Sequence, residues 1–285
     1  MSAFFGPGGN SAEFYADGKK HTFEAPEWLQ TYGLDAYEYE GGNGVNLSKD
    51  TALIIGEKAR EFDIKMSLHA PYFISLSSVE EEKRKNSTGY ILKSAQVAQY
   101  LNAEIIVIHA GSTAKLDREV ALTLAKETLR ETLETLKENG LYGIKLGIET
   151  MGKVNQLGTF DEVLSMCELD DTVVPVVDFG HMNAREQGGV FTVTDDYKWI
   201  FERIEKAKGA KCAETLHCHF SKIEYTKGGE KKHLTFEDEL FGPDYAPLMK
   251  AIAELGISPT IICESAGTMA KDALEMKQTY LNFLK

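Results

Sequence analysis

The 285-residue sequence has no apolar run near the roughly 18 residues that cross a bilayer. Its opening, MSAFFGPGGN, lacks the basic and apolar regions of a secretory signal. Both absences weigh against a membrane partner. Cysteine is scarce: Cys167, Cys212, Cys218 and Cys263 are scattered, and none forms a CxxC pair. That disfavours a thiolate zinc site and fits reduced thiols in a cytoplasmic protein. Positive charge is in deficit, with 31 Lys and Arg against 44 Asp and Glu. A net charge of −13 argues mildly against nucleic acid as a partner of the whole surface. A local basic or metal-rich face would still serve phosphate binding. No linker, low-complexity stretch or composition break divides the chain, so residues 1–285 read as one domain. Gly6-Pro7-Gly8-Gly9 is not a GxGxxG element and reads as a turn. No Ser-His-Asp or Cys-His nucleophile pattern has local support.

What the sequence does contain is a repeated strand ending. Six apolar runs close on a histidine or a carboxylate: SLHA at His69, IIVIHA at His109, KLGIE at Glu149, VVPVVD at Asp178, ETLHCH at His219 and PTIICE at Glu264. Continuously apolar strands are those of a parallel sheet covered on both faces. Such folds place their chemistry at the carboxyl ends of the strands.

Strand and helix patterns alternate along the whole chain. Strands are expected at Ser2–Phe5 and Leu34–Glu40, the second in a half-covered position, and then at the six runs. Helices are expected near 25–32, 48–62, 79–101, 117–138, 159–167, 194–207, 243–255 and 269–284. Pro26 suits a first turn, Ser48 a cap, and Gly140 a helix stop. Residues 220–242 read as a long polar loop. Eight such units predict an α/β fold, a single (β/α)8 TIM barrel.

Six of the seven histidines, all but His21, fall at or just beyond these strand ends. In His217-Cys218-His219 the period of two puts both rings on one face, with His217 a layer deeper behind His219. Gly180 would let a tight turn carry His181 over the barrel mouth. Glu149, Asp178 and Glu264 would repel one another at one mouth without a cation. Mixed nitrogen and oxygen donors suit zinc, with manganese or iron as further fits. Lys222, Lys227, Lys231 and Lys232 lie after the seventh strand, where they could meet phosphates.

The arrangement resembles the endonuclease IV family of xylose-isomerase-like barrels. His69-Ala70-Pro71-Tyr72, His109-Ala110-Gly111-Ser112, Glu149-Thr150 with Leu157-Gly158, and Asp178-Phe179-Gly180-His181 carry the resemblance. It implies two or three zinc ions. His69, His109 and Glu149 would hold the first, and Glu149, Asp178, His219 and Glu264 the second. His181 and His233 belong to a third, with an aspartate two residues before His233; here that position is Lys231, and Glu230 is one residue off the pattern. The family's basic, aromatic loop after the second strand is replaced by Glu38-Tyr39-Glu40-Gly41-Gly42-Asn43-Gly44.

The resemblance implies hydrolysis of DNA on the 5′ side of abasic sites in repair, with no protein partner required. Glu149 and Glu264 would be catalytic, and Tyr72, Ser112 and Lys222 would contact substrate. The competing expectation is a sugar isomerase or epimerase of the same superfamily, with Glu149, Asp178, His219 and Glu264 around one metal. The net acidity and the missing basic loop favour that alternative.

Overall fold

The computed structural model describes residues 2–285. The chain opens with β1 (Phe4–Pro7), the short helix α1 (Ala12–Ala16), α2 (Ala25–Tyr32) and β2 (Ala36–Glu40). It continues through α3 (Lys49–Glu61), β3 (Lys65–His69), α4 (Glu81–Leu101), β4 (Ile105–Ile108), α5 (Arg118–Glu138) and β5 (Lys145–Glu149). Then come α6 (Phe160–Cys167), β6 (Val173–Asp178), α7 (Phe179–Arg185), α8 (Thr194–Lys208), α9 (Ala210–Glu214) and β7 (His217–Phe220). A hairpin of β8 (Ile223–Thr226) and β9 (Gly229–His233) precedes α10 (Ala246–Leu255), β10 (Thr260–Cys263) and α11 (Met269–Phe283).

Eight parallel strands form one sheet in the order β1-β10-β7-β6-β5-β4-β3-β2. The sheet nearly closes on itself. Asp35 donates its N–H to Phe5, Gly9 donates to Glu38, and Gly8 bridges Glu38 in parallel. Gly6 makes this possible: a methyl group there would collide with the Ala36 carbonyl, so only glycine lets the two backbones meet. The result is the expected TIM barrel.

Local chemistry explains the elements. Ser48 accepts the Thr51 N–H at 3.2 Å and starts α3. Thr159 and Glu162 form a capping box on α6. On α5, Ala121, Ala125, Leu129, Leu133 and Leu136 are buried against the sheet, while Leu122 is only partly covered.

Several boundaries differ from the expectation. β1 runs to Pro7, so Gly6-Pro7 belongs to a strand rather than a turn. β2 is not half-covered at Glu38, which is fully buried. α4 starts at Glu81, leaving Val79 exposed. The proline of the tenth helix's first turn is Pro247, not Pro243. The polar segment after β7 is not a loop throughout, because Thr226–Gly229 folds it into the β8–β9 hairpin. No helix among the described residues is long and apolar enough to cross a membrane.

Candidate metal centre

Parallel register brings the strand ends to one rim. Asp178 pairs with His219, and Glu40 pairs with His69. Glu149 sits among four imidazoles. Its Oε2 lies 2.8 Å from His109 Nε2 and 3.3 Å from His69 Nε2. Its Oε1 lies 3.1 Å from His219 Nδ1 and 3.3 Å from His181 Nδ1. Glu264 Oε1 is 3.3 Å from His219 Nδ1.

Several overlapping sets have donor atoms within 4.8 Å of one another, among them His69, His109 and Glu149; Glu149, Asp178, His219 and Glu264; and His181, Glu230 and His233. The mouth of the barrel holds a cavity of about 660 Å³ that Tyr72, Lys153, Gln156 and most of these ligand-type residues line.

The backbone presets the imidazoles. His69 Nδ1 is 2.9 Å from the Ala70 carbonyl, and His181 Nδ1 is 3.0 Å from the Thr150 carbonyl. A carbonyl only accepts, so each Nδ1 carries the proton when the ring is neutral. Each Nε2 is then the free donor nitrogen, as metal-binding histidines require.

His181 reaches the rim by a route unlike the expected tight turn. Asp178 caps α7, and its Oδ1 accepts the His181 N–H at 2.7 Å. Gly180 is needed for packing instead: a side chain there would strike the Ser221 carbonyl.

Glu230 joins the third set because β9 bulges. Glu224 pairs with Lys232 and Tyr225 with Glu230, so Lys231 has no partner opposite. A bulge resets the alternation and re-aims the following side chain. Lys231 therefore points outward to Glu224, 2.5 Å away, while Glu230 Oε2 comes within 3.5 Å of His181 Nε2. A strict two-residue spacing would have made Lys231 the inward residue, which is why the sequence pattern counted against this set.

The sequence marked Glu38 only as part of the segment after the second strand and gave it no place in the site. Its Oε2 is 2.9 Å from His217 Nε2, and its Oε1 is 2.9 Å from His219 Nε2. The second approach is close, yet neither atom finds an aligned hydrogen bond. In β2, Ala36, Glu38 and Glu40 share one face, while Tyr37 and Tyr39 share the other. The alternation looked like a half-exposed strand, but its polar face turns into the barrel.

Two expected substrate contacts are not at the mouth. Lys222 donates to the carbonyls of Phe236 and Asp238 and so ties down the following loop. Ser112 accepts at its carbonyl from Ser77 and is not part of the cavity wall. Tyr72 is at the mouth: it is exposed, stacks on His109 at 5.8 Å, and donates to Glu40 Oε2 at 3.3 Å. Lys153 and Gln156 were not foreseen. Their loop is fastened from beneath by Arg185, which donates to the carbonyls of Met151, Lys153, Val154 and Gln156, and by Arg118, which also holds Glu162.

Without a cation the cluster balances its charge with protons. Burial works against ionised Glu149, but His219 and His109 hold it well below the carboxylate range. Burial also opposes charge on His69, but Glu149 and Glu40 lift it to about 10. His219 is raised despite burial, chiefly by Glu264 and Glu38. Glu264 is pushed up to about 8, mainly by burial, with Glu149 and Asp178 adding to the push against His219.

The donor set fits a divalent metal. Asp178 Oδ2 is buried with no hydrogen-bond partner, although His181 Nδ1 is 3.2 Å away, because that nitrogen bonds to Thr150. Such an orphan carboxylate oxygen is costly unless an ion takes it.

The sequence model for the xylose isomerase-like TIM barrel matches residues 26–280. An uncharacterized protein of Methanocaldococcus jannaschii, MJ0133, is 35% identical over 90% of this chain and 91% of its own. A probable endonuclease 4 of Acholeplasma laidlawii is 26% identical over 55% of this chain and 53% of its own. Among solved structures, a D-tagatose 3-epimerase-like protein superposes with a TM-score of 0.73 at 20% identity, over 99% of this chain and 98% of that one. Endonuclease IV from Thermus thermophilus superposes with a TM-score of 0.70 at 16% identity, over 98% and 99%. At these identities the two superpositions show a shared fold.

Proposed function

The chain belongs to the xylose isomerase-like TIM barrel family, and we propose that within it this protein is a zinc-dependent phosphodiesterase that cuts DNA 5′ to abasic sites. The observation that carries the reading is the third donor set, His181, Glu230 and His233. Three adjoining donor sets suit a phosphate, whose several oxygens take up charge during displacement. The curated relatives called probable endonuclease 4 agree with it.

His69, His109 and Glu149 would hold one ion, Glu149, Asp178, His219 and Glu264 a second, and His181, Glu230 and His233 a third. Bound divalent ions would neutralise the scissile phosphate and lower the pKa of water toward neutrality. Glu149 sits between the first two sets and fixes their separation. Glu264, at the rim, accepts a proton from water approaching the phosphorus. Tyr72 offers its ring to the sugar of a nucleotide that has no base to unstack. Lys153 supplies a positive charge on the cavity wall.

One observation favours the sugar epimerase instead: Glu40, Glu149, Glu230 and Glu264 line the cavity with a single lysine, Lys153. The metal-loaded protein and a duplex bearing one abasic analogue decide between them. Incision 5′ to the lesion, collapsing in Glu149→Gln, is expected. An intact duplex together with epimerisation of a ketose would sink the nuclease reading.

A further inference from the structure

The opposite end of the barrel is hollow. Lower barrel layers are ordinarily filled by branched apolar side chains from alternate strands. Here the inner face of β3 reads Lys65, Ser67, His69 toward the mouth, and that of β5 reads Lys145, Gly147, Glu149. Thr260 of β10 and His217 of β7 complete the same lower layers. A cavity of about 530 Å³ lies among them, walled by Met66, Ile105, Val174, Pro175 and Leu216. That volume is within the range of small-molecule sites.

Two features of this cavity point to a ligand. Ser67 Oγ and Thr260 Oγ1 are buried, their residues each 2% exposed, and neither has a hydrogen-bond partner. Buried hydroxyls are rarely left so. The second feature is charge. In a protein of net charge −13, four lysines line this cavity. Lys208 is tied to the carbonyls of Cys167 and Asp170, and Lys211 to Glu214. Lys65 is half-buried with its ammonium 4.9 Å from the Phe4 ring, and neither it nor Lys145 forms an ion pair among the described residues. The acidic residues on the wall, Glu104 and Asp171, are exposed, as is Lys145, and Glu104 is the acid whose charge reaches Lys65.

We propose that this lower cavity binds a small phosphate monoester, its dianionic head between Lys65 and Lys145 and its hydroxyl-bearing body on Ser67 and Thr260. Two unpaired ammonium groups match a dianion better than a monoanionic carboxylate. The hydroxyl pair and the apolar wall suit a sugar-sized body rather than bare phosphate. The assignment stands independently of the chemistry at the mouth.

Calorimetric titration of the purified protein with glucose 6-phosphate tests it, with gluconate as the carboxylate control. Saturable one-to-one binding is expected, retained in Glu264→Gln at the mouth and weakened at least tenfold in the double variant Lys65→Gln/Lys145→Gln. Acetylation of the unmutated protein gives a readout that needs no variant to fold: the sugar phosphate should shield Lys145 and Lys65 from acetic anhydride. Absence of saturable binding would overturn the proposal. So would binding lost in Glu264→Gln but kept in the lysine variant, or gluconate binding as tightly. Unchanged acetylation of both lysines at saturating ester would count against it equally.

Discussion

Glu38 and His217, 179 residues apart, meet inside the barrel with 2.9 Å between Oε2 and Nε2. The other oxygen of Glu38 faces His219 Nε2, whose Nδ1 faces Glu149 and Glu264. A carboxylate behind a metal-binding imidazole sets its tautomer and orientation. Glu38→Gln is therefore expected to weaken metal retention by roughly 10–100-fold. Competition with a fluorescent chelator measures it, and a melting curve of the metal-free variant separates the loss from a folding defect. Unchanged metal affinity would mean that Glu38 serves packing alone.

The bulge at Lys231 predicts an asymmetry between neighbours. Glu230→Gln should lower the number of bound metal ions per chain and slow cleavage of an abasic duplex by at least tenfold. Lys231→Gln should change neither, because its partner is Glu224 on the outer side of the hairpin. Elemental analysis of the two variants checks the pair.

Protons should replace metal in a pH-dependent way. Glu264 is held at about 8 and His69 at about 10, against unfolded values near 4.3 and 6.5. His219 and His181 are also raised. Between pH 7 and 8 the folded chain thus binds more protons than the unfolded one, so stability falls as pH rises. The slope is about 1.4 kcal/mol per pH unit for each proton held only by the folded state. His109, His217 and His233, lowered mainly by burial, oppose it only weakly, since their unfolded imidazoles have shed most of their protons above pH 7. Melting curves of chelator-treated protein should show the decline, and Glu264→Gln should reduce it. Metal affinity should rise over the same interval, since the ligands must shed protons to bind.

Tyr72 and Lys222 should separate binding from folding. Tyr72→Ala removes an exposed ring at the mouth and is expected to raise KM about tenfold, roughly 1.4 kcal/mol, with little change in melting temperature. Lys222→Met frees the Phe236 and Asp238 carbonyls and should lower the melting temperature by a few degrees while leaving KM unchanged. Steady-state kinetics and a thermal scan on each variant give the comparison.

The barrel and its rim were legible because burial on both faces writes a parallel strand as an apolar run. The polar residue that ends such a run, as at His69, Glu149 and Asp178, marks the strand's end directly. Where polarity and geometry part company, the reading faltered. Glu38 lies in an alternating strand, and alternation alone cannot tell solvent from a polar interior. The hairpin after β7 carried a signal, Gly228 in the two-residue turn and Gly229 at the start of β9, that its many lysines obscured. The position of Glu230 was not written locally, because the bulge arises from pairing with β8. Lys222 and Ser112 fit their expected sequence neighbourhoods, but one side chain closes a loop and the other residue offers its carbonyl to Ser77.

Arg118 and Arg185 give the rim a property that no single contact conveys. Their guanidinium groups occupy the carbonyls of Lys153, Val154 and Gln156, so that wall of the cavity is already in place before anything enters. An arriving molecule need not freeze the loop, and little of its interaction energy is lost to ordering. Selection at this wall therefore resembles a die rather than a closing hand: molecules of the wrong outline are turned away on arrival.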